Sequence, residues 1–129
     1  MSGIVAKMNS YDDIIAGSGV DDKAISKAET ELGIKFAEEY VEYLQHFGIA
    51  AVNGHELTGL GSSKRVDVLD VTLSKRGIMG DQMNDYYVIE ELNIDGIIVW
   101  QSENGEIIVS TEDGNTQKAF SSLCEYISS

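Results

Sequence analysis

The chain has 129 residues, 43% of them hydrophobic, with 22 acidic against nine basic side chains and a net charge of −13. That length and apolar content suffice for one domain, residues 1 to 129, with a core of its own and no linker. The acidity argues against direct binding to DNA or RNA, whose phosphates are neutralised by Lys and Arg, and points to a basic partner; in an arbitrary acidic protein the same charge serves solubility alone.

The amino terminus lacks a signal-peptide pattern, because Asp12 and Asp13 interrupt what would be its apolar segment, so a cytoplasmic protein is expected. Ser10-Tyr11-Asp12-Asp13 reads as a capping box opening a short helix that the Ala16 to Gly19 segment ends. Next, Ile25, Ala28 and Leu32 recur at steps of three and four behind a cap at Asp21 or Asp22, and Gly33 stops that helix in a left-handed turn. A further helix carries Tyr40, Tyr43, Leu44 and Phe47 on one face, with Glu38 and Glu39 at its positive end and Gly48 as its stop. An aromatic stripe of this kind is core packing, and nothing in it suggests a cofactor box.

The longest apolar runs, Ile49 to Val52 and Ile97 to Trp100, are far shorter than the roughly 20 residues that span a bilayer, so no membrane association is expected. His55-Glu56-Leu57-Thr58-Gly59-Leu60 reads as a strand. Between Val66 and Arg76 two patterns fit: Val66, Leu69 and Leu73 suit a helix, whereas Val66, Val68, Val71 and Leu73 alternate like a strand. Three β-rich runs follow at Tyr86 to Leu92, Ile97 to Ser102 and Glu106 to Ser110. Turns at Asn93 to Gly96 and at Asn104-Gly105 would join them into an antiparallel meander. A last helix is expected after Asn115 or Thr116, its face of Phe120, Leu123, Cys124 and Ile127 laid on the sheet. The fold class is therefore α+β. Cys124, the single cysteine, has no internal disulfide partner and is expected to be buried and inert.

Several of these segments together resemble the SMI1/KNR4 (SUKH) superfamily. They are Glu29-x-x-Leu32-Gly33, Tyr40 to Gly48, Glu56-Leu57-x-Gly59-Leu60, Tyr87-Val88-Ile89, and Phe120 with its trailing helix. The resemblance runs from about Asp21 to the last helix, and its first two blocks are the specific ones. It implies an antiparallel meander packed against amino-terminal helices and a carboxy-terminal helix, and it favours helix for Val66 to Arg76. That family usually carries proline where this chain has Ala37; this chain contains no proline, and alanine enters a helix readily. Many bacterial members are immunity proteins that neutralise a toxin.

Motifs for chemistry fail on inspection. His55-Glu56 lacks a second histidine four residues on, Gly17-Ser18-Gly19 lacks a third glycine, and Gly59 to Lys64 lacks phosphate-loop spacing. Glu112-Asp113-Gly114-Asn115 misses the ligand alternation of a calcium loop and reads as a turn. No catalytic residue, metal site or cofactor is expected. From Asp81 onward ten carboxylates face Lys118 alone, whereas Lys64 to Arg76 has a local charge of +2. The leading expectation is a non-enzymatic bacterial antitoxin whose acidic surface occludes the basic active site of a cognate toxin, a nuclease. Asp85, Glu90, Glu91, Asp95, Glu103 and Glu106 are its candidate charges, with Tyr86 and Trp100 as aromatic anchors, although Trp100 ends an apolar run and fits a core position better. The alternative is an intracellular regulatory or scaffold module of the same family.

Overall fold

The computed structural model describes residues 3–61, 66–92, 94 and 96–129. Helix α1 (Gly3–Asn9) buries Ile4, Val5 and Met8 and is followed by strand β1 (Ile15–Ala16). The helix expected from Ser10 onward is therefore replaced by a helix before it and a strand after it. Ser10 closes α1 rather than opening a new helix, its hydroxyl donating to the Lys7 carbonyl at 2.6 Å.

Helices α2 (Asp22–Leu32) and α3 (Glu38–Phe47) have the expected faces and stops: Ile25, Ala28 and Leu32 are buried on the first, and Tyr40, Tyr43, Leu44 and Phe47 on the second. The Asp21 carboxylate caps α2 by accepting from the Ala24 amide at 2.9 Å, and Gly33 ends it at φ 70°. Strands β2 (Ala50–Val52) and β3 (His55–Glu56) then join β1 in a small antiparallel sheet ordered β1-β2-β3. The strand expected to run to Leu60 stops at Glu56. Beyond it the chain is pinned from outside, with the Thr58 amide donating to Ile89, Gly59 to Val66, and Leu60 to Gly48.

Backbones touch directly in this corner. A Cβ on Gly19 would stand 1.7 Å from the Gln45 carbonyl oxygen, one on Gly48 2.4 Å from that of Ser18, and one on Gly59 2.1 Å from that of Gly48.

Helix α4 (Val68–Met79) settles the ambiguous segment as helix, with the Asp67 carboxylate capping the Leu69 and Asp70 amides. A 3-10 turn at Asp81–Met83 leads into β4 (Tyr86–Glu91), β5 (Ile98–Ser102), β6 (Ile107–Ser110) and β7 (Thr116–Phe120), an antiparallel meander in that order. The expected turn at Asn93 to Gly96 falls partly on Asn93 and Asp95, which lie outside the described residues.

A fourth strand was not expected: Thr116 to Phe120 pairs with β6, and the last helix, α5 (Leu123–Ile127), starts only after Ser122 caps it. The apolar spacing from Phe120 is real, but Phe120 belongs to the strand end. It reaches the helix edge-on, 5.4 Å from Tyr126.

The meander has helices on both faces. On one, Tyr87, Ile89, Val99 and Ile107 join the main core formed by α1, α2, α3 and α5. On the other, Val88, Ile98, Trp100 and Ile108 pack against Val71 of α4 and Met83. At about 25 cal/mol per Å² of apolar surface removed from water, these two clusters are the main source of stability.

Candidate functional site

Tyrosine hydroxyls and carboxylates tie the layers together. The Tyr87 hydroxyl accepts from the Ala37 amide at 3.0 Å and donates to Gln101 Oε1 at 2.7 Å. Gln101 Nε2 in turn donates to Glu39 Oε1 at 2.8 Å, and the Glu39 carboxylate accepts from the Leu123 and Cys124 amides at the start of α5. Tyr40 bonds Thr58 Oγ1 at 2.8 Å, and Tyr43 donates to the Thr58 carbonyl at 2.7 Å while accepting from the Ala50 amide. Burial pushes the Tyr40, Tyr43 and Tyr87 hydroxyls above the usual tyrosine range, so they stay neutral hydrogen-bonding groups. Helical spacing marked the Tyr40 and Tyr43 rings as core without showing what their hydroxyls do. The choice of Tyr over Phe on an apolar stripe was the available signal.

A second knot centres on Glu90, which is only 4% exposed. Its carboxylate meets His55 Nδ1 at 2.9 Å, accepts from the Glu56 amide at 2.7 Å and takes the Tyr126 hydroxyl. It thus joins the small sheet, the meander and α5. The hydrogen bond to Glu90 raises the His55 pKa above 6.5 against the opposing effect of burial.

The other candidates separate clearly. Trp100 is fully buried, with Nε1 donating to Ser110 Oγ at 2.9 Å, so it is core and presents no ring to a partner. Tyr86 is half-buried against the same cluster. Glu91 pairs with Lys75 at 3.2 Å and Glu106 with Lys118 at 3.5 Å. Asp95 lies outside the described residues.

Asp85 and Glu103 come together. Both line a cleft of about 400 Å³ with Gly33, Ile34, Ser102 and Asn104. A neighbouring hollow of about 340 Å³ shares Gly33, Ile34 and Glu103 and adds Glu29, Thr30 and Lys35. The result is an acidic groove beside the carboxy end of α2, where the helix dipole is negative, with the half-buried Ile34 as an apolar contact. Arg76 holds its wall: Nη1 donates to the Leu32 carbonyl at 2.9 Å and Nη2 to those of Asn84 and Tyr86, each at 3.0 Å. Chemically the groove can accept hydrogen bonds from, and neutralise, a cationic group. Among the described residues no cluster of three His, Cys, Asp or Glu could hold a metal ion, and none of the helices is long and apolar enough to cross a membrane. Cys124 is half-buried, and burial together with the Glu39 charge raises its pKa, which disfavours the reactive thiolate.

Fold and site define an α+β domain with an acidic groove. The chain belongs to the SUKH_5 family, described as SMI1-KNR4 cell-wall, whose model matches residues 1–129. No curated protein matches it.

Proposed function

We propose that this chain is a non-enzymatic bacterial immunity protein that binds a cognate toxin, a nuclease, in the cytoplasm and occludes its basic active site. The observation that carries the reading is the convergence of Asp85 and Glu103 over Ile34 at the negative end of α2. Nuclease sites gather Lys and Arg to hold phosphates, so a groove lined by carboxylates competes for the same cations, and the net charge of −13 speeds the encounter. Family membership supports the reading, since the SMI1/KNR4 superfamily includes immunity proteins.

The test is a rescue assay in which nuclease toxin domains, beginning with any encoded beside this gene, are expressed in a susceptible host with and without this chain. Growth and intact nucleic acid, together with a stoichiometric complex that weakens with salt, are expected. Loss of rescue in an Asp85→Asn, Glu103→Gln double variant would locate the contact in the groove. An active toxin that is neither bound nor blocked would refute the proposal. It would favour the second reading, a regulatory or scaffold module, to which the cell-wall description of the family lends weight.

A further inference from the structure

The outer face of α4 carries a surface that neither the cores nor the groove uses. Leu73 is 49% exposed and Ile78 73%. At 100° per residue they border an arc whose centre holds Ser74 and Gly77, both exposed, so two aliphatic walls flank a shallow valley. Single exposed aliphatic residues are ordinary. Gly77 is not. It lies inside the helix, where glycine is less favourable than alanine, and its φ is not positive. A Cβ there would meet nothing within 4 Å, so no neighbour in the fold requires its absence. A smooth helix surface between two apolar walls is what a second helix needs in order to approach closely.

The charges left on this face choose the occupant, because the basic residues of the helix are engaged elsewhere, Lys75 by Glu91 and Arg76 by the Leu32, Asn84 and Tyr86 carbonyls. Exposed Asp70 stands at the amino end of this face and exposed Asp81 just past its carboxy end. A second copy of the chain would bring these carboxylates against their own kind in either helix direction and would add another charge of −13. We propose that the Leu73, Gly77 and Ile78 face of α4 docks a helix of a basic protein partner, with small and aliphatic residues on its contact stripe and Lys or Arg flanking it. The proposal rests on the basic-partner reading above and adds a second contact next to the groove, since Arg76 of the same helix supports the groove wall.

Two synthetic helices of about 18 residues, long enough to hold helical structure, serve as probes. Both carry a Leu-Ala stripe, flanked in one by lysines and in the other by glutamates. Titrated into the isotope-labelled full chain, the lysine-flanked helix should shift amides clustered between residues 70 and 81, and more weakly at high salt. A Leu73→Ser, Ile78→Ser double variant should weaken binding about tenfold or more. Gly77→Ala should weaken it several-fold while raising the unfolding midpoint, a combination that a purely structural role would not produce. Shifts elsewhere, no binding, equal binding of the glutamate-flanked helix, or a concentration-dependent doubling of mass abolished by Gly77→Leu would each overturn the proposal. A chain that rescues cells from the toxin yet fails these tests would leave the immunity reading standing. A chain that passes them but rescues nothing would overturn that reading alone.

Discussion

Glu90 and the Asp85–Glu103 pair are carboxylates of one half of the chain, yet they sit in opposite circumstances. Glu90 is buried and engaged by three groups from two other elements, β3 and α5, whereas Asp85 and Glu103 are exposed at the rim of a cleft. A carboxylate surrounded by donors of its own fold is a fastener; one left facing solvent in a cleft is available to another molecule. Net charge alone does not distinguish them.

Breaking the fastener should give the largest effect. Glu90→Ala leaves His55, the Glu56 amide and Tyr126 without their common acceptor and should cost about 3 kcal/mol, read by denaturant unfolding. A loss under about 1 kcal/mol would mean that water replaces the carboxylate cheaply. Ala37→Pro should come next, at about 2 kcal/mol. The φ of −60° suits proline, but the ring would enter the space where the Ala37 amide meets the Tyr87 hydroxyl at 3.0 Å. An unchanged midpoint would show that the tyrosine swings aside.

The pH dependence is smaller and sharpens the same comparison. His55 has a raised pKa in the folded chain, so its pairing with Glu90 contributes fully below pH 6.5 and fades as pH rises through the folded value. Unfolding free energy should therefore decline on alkalinisation across that window, and His55→Gln should remove the decline. A variant with the parental slope would assign it to another group. Smallest of all, Asp85→Asn with Glu103→Gln should change stability by no more than about 0.5 kcal/mol, since both side chains are exposed and Asp85 acts on Arg76 only through charge, while abolishing binding to the proposed toxin. A marked loss of stability there would make the groove structural.

What the sequence revealed followed the range of the interactions. Helices α2 and α3 were legible because the apolar period and the glycine stop of each, and the Asp21 cap of α2, are local signals. The first segment misled for the opposite reason: Asp13, read as part of a local cap, accepts from the Asn53 amide forty positions away. Strand β7 was hidden because the apolar spacing of α5 extends back onto Phe120, the last residue of the strand. In the groove, acidity singled out Asp85 and Glu103, but their meeting at Ile34 depends on the docking of α2 beside the first hairpin of the meander, which no local pattern encodes. The departure at Ala37 has a physical counterpart: the amide that proline would lack is bonded to Tyr87.

The crossing of Gly19, Gly48 and Gly59 bears on how this chain tolerates change. Core side chains can yield to a larger neighbour by changing rotamer, so substitutions among them give graded losses. At the glycine crossing the opposing atoms are main-chain carbonyls with no rotamer to change. Even alanine there has to push three chain segments apart. A saturation scan should find these positions all-or-none, a small region of zero tolerance beside a core that accepts aliphatic exchange.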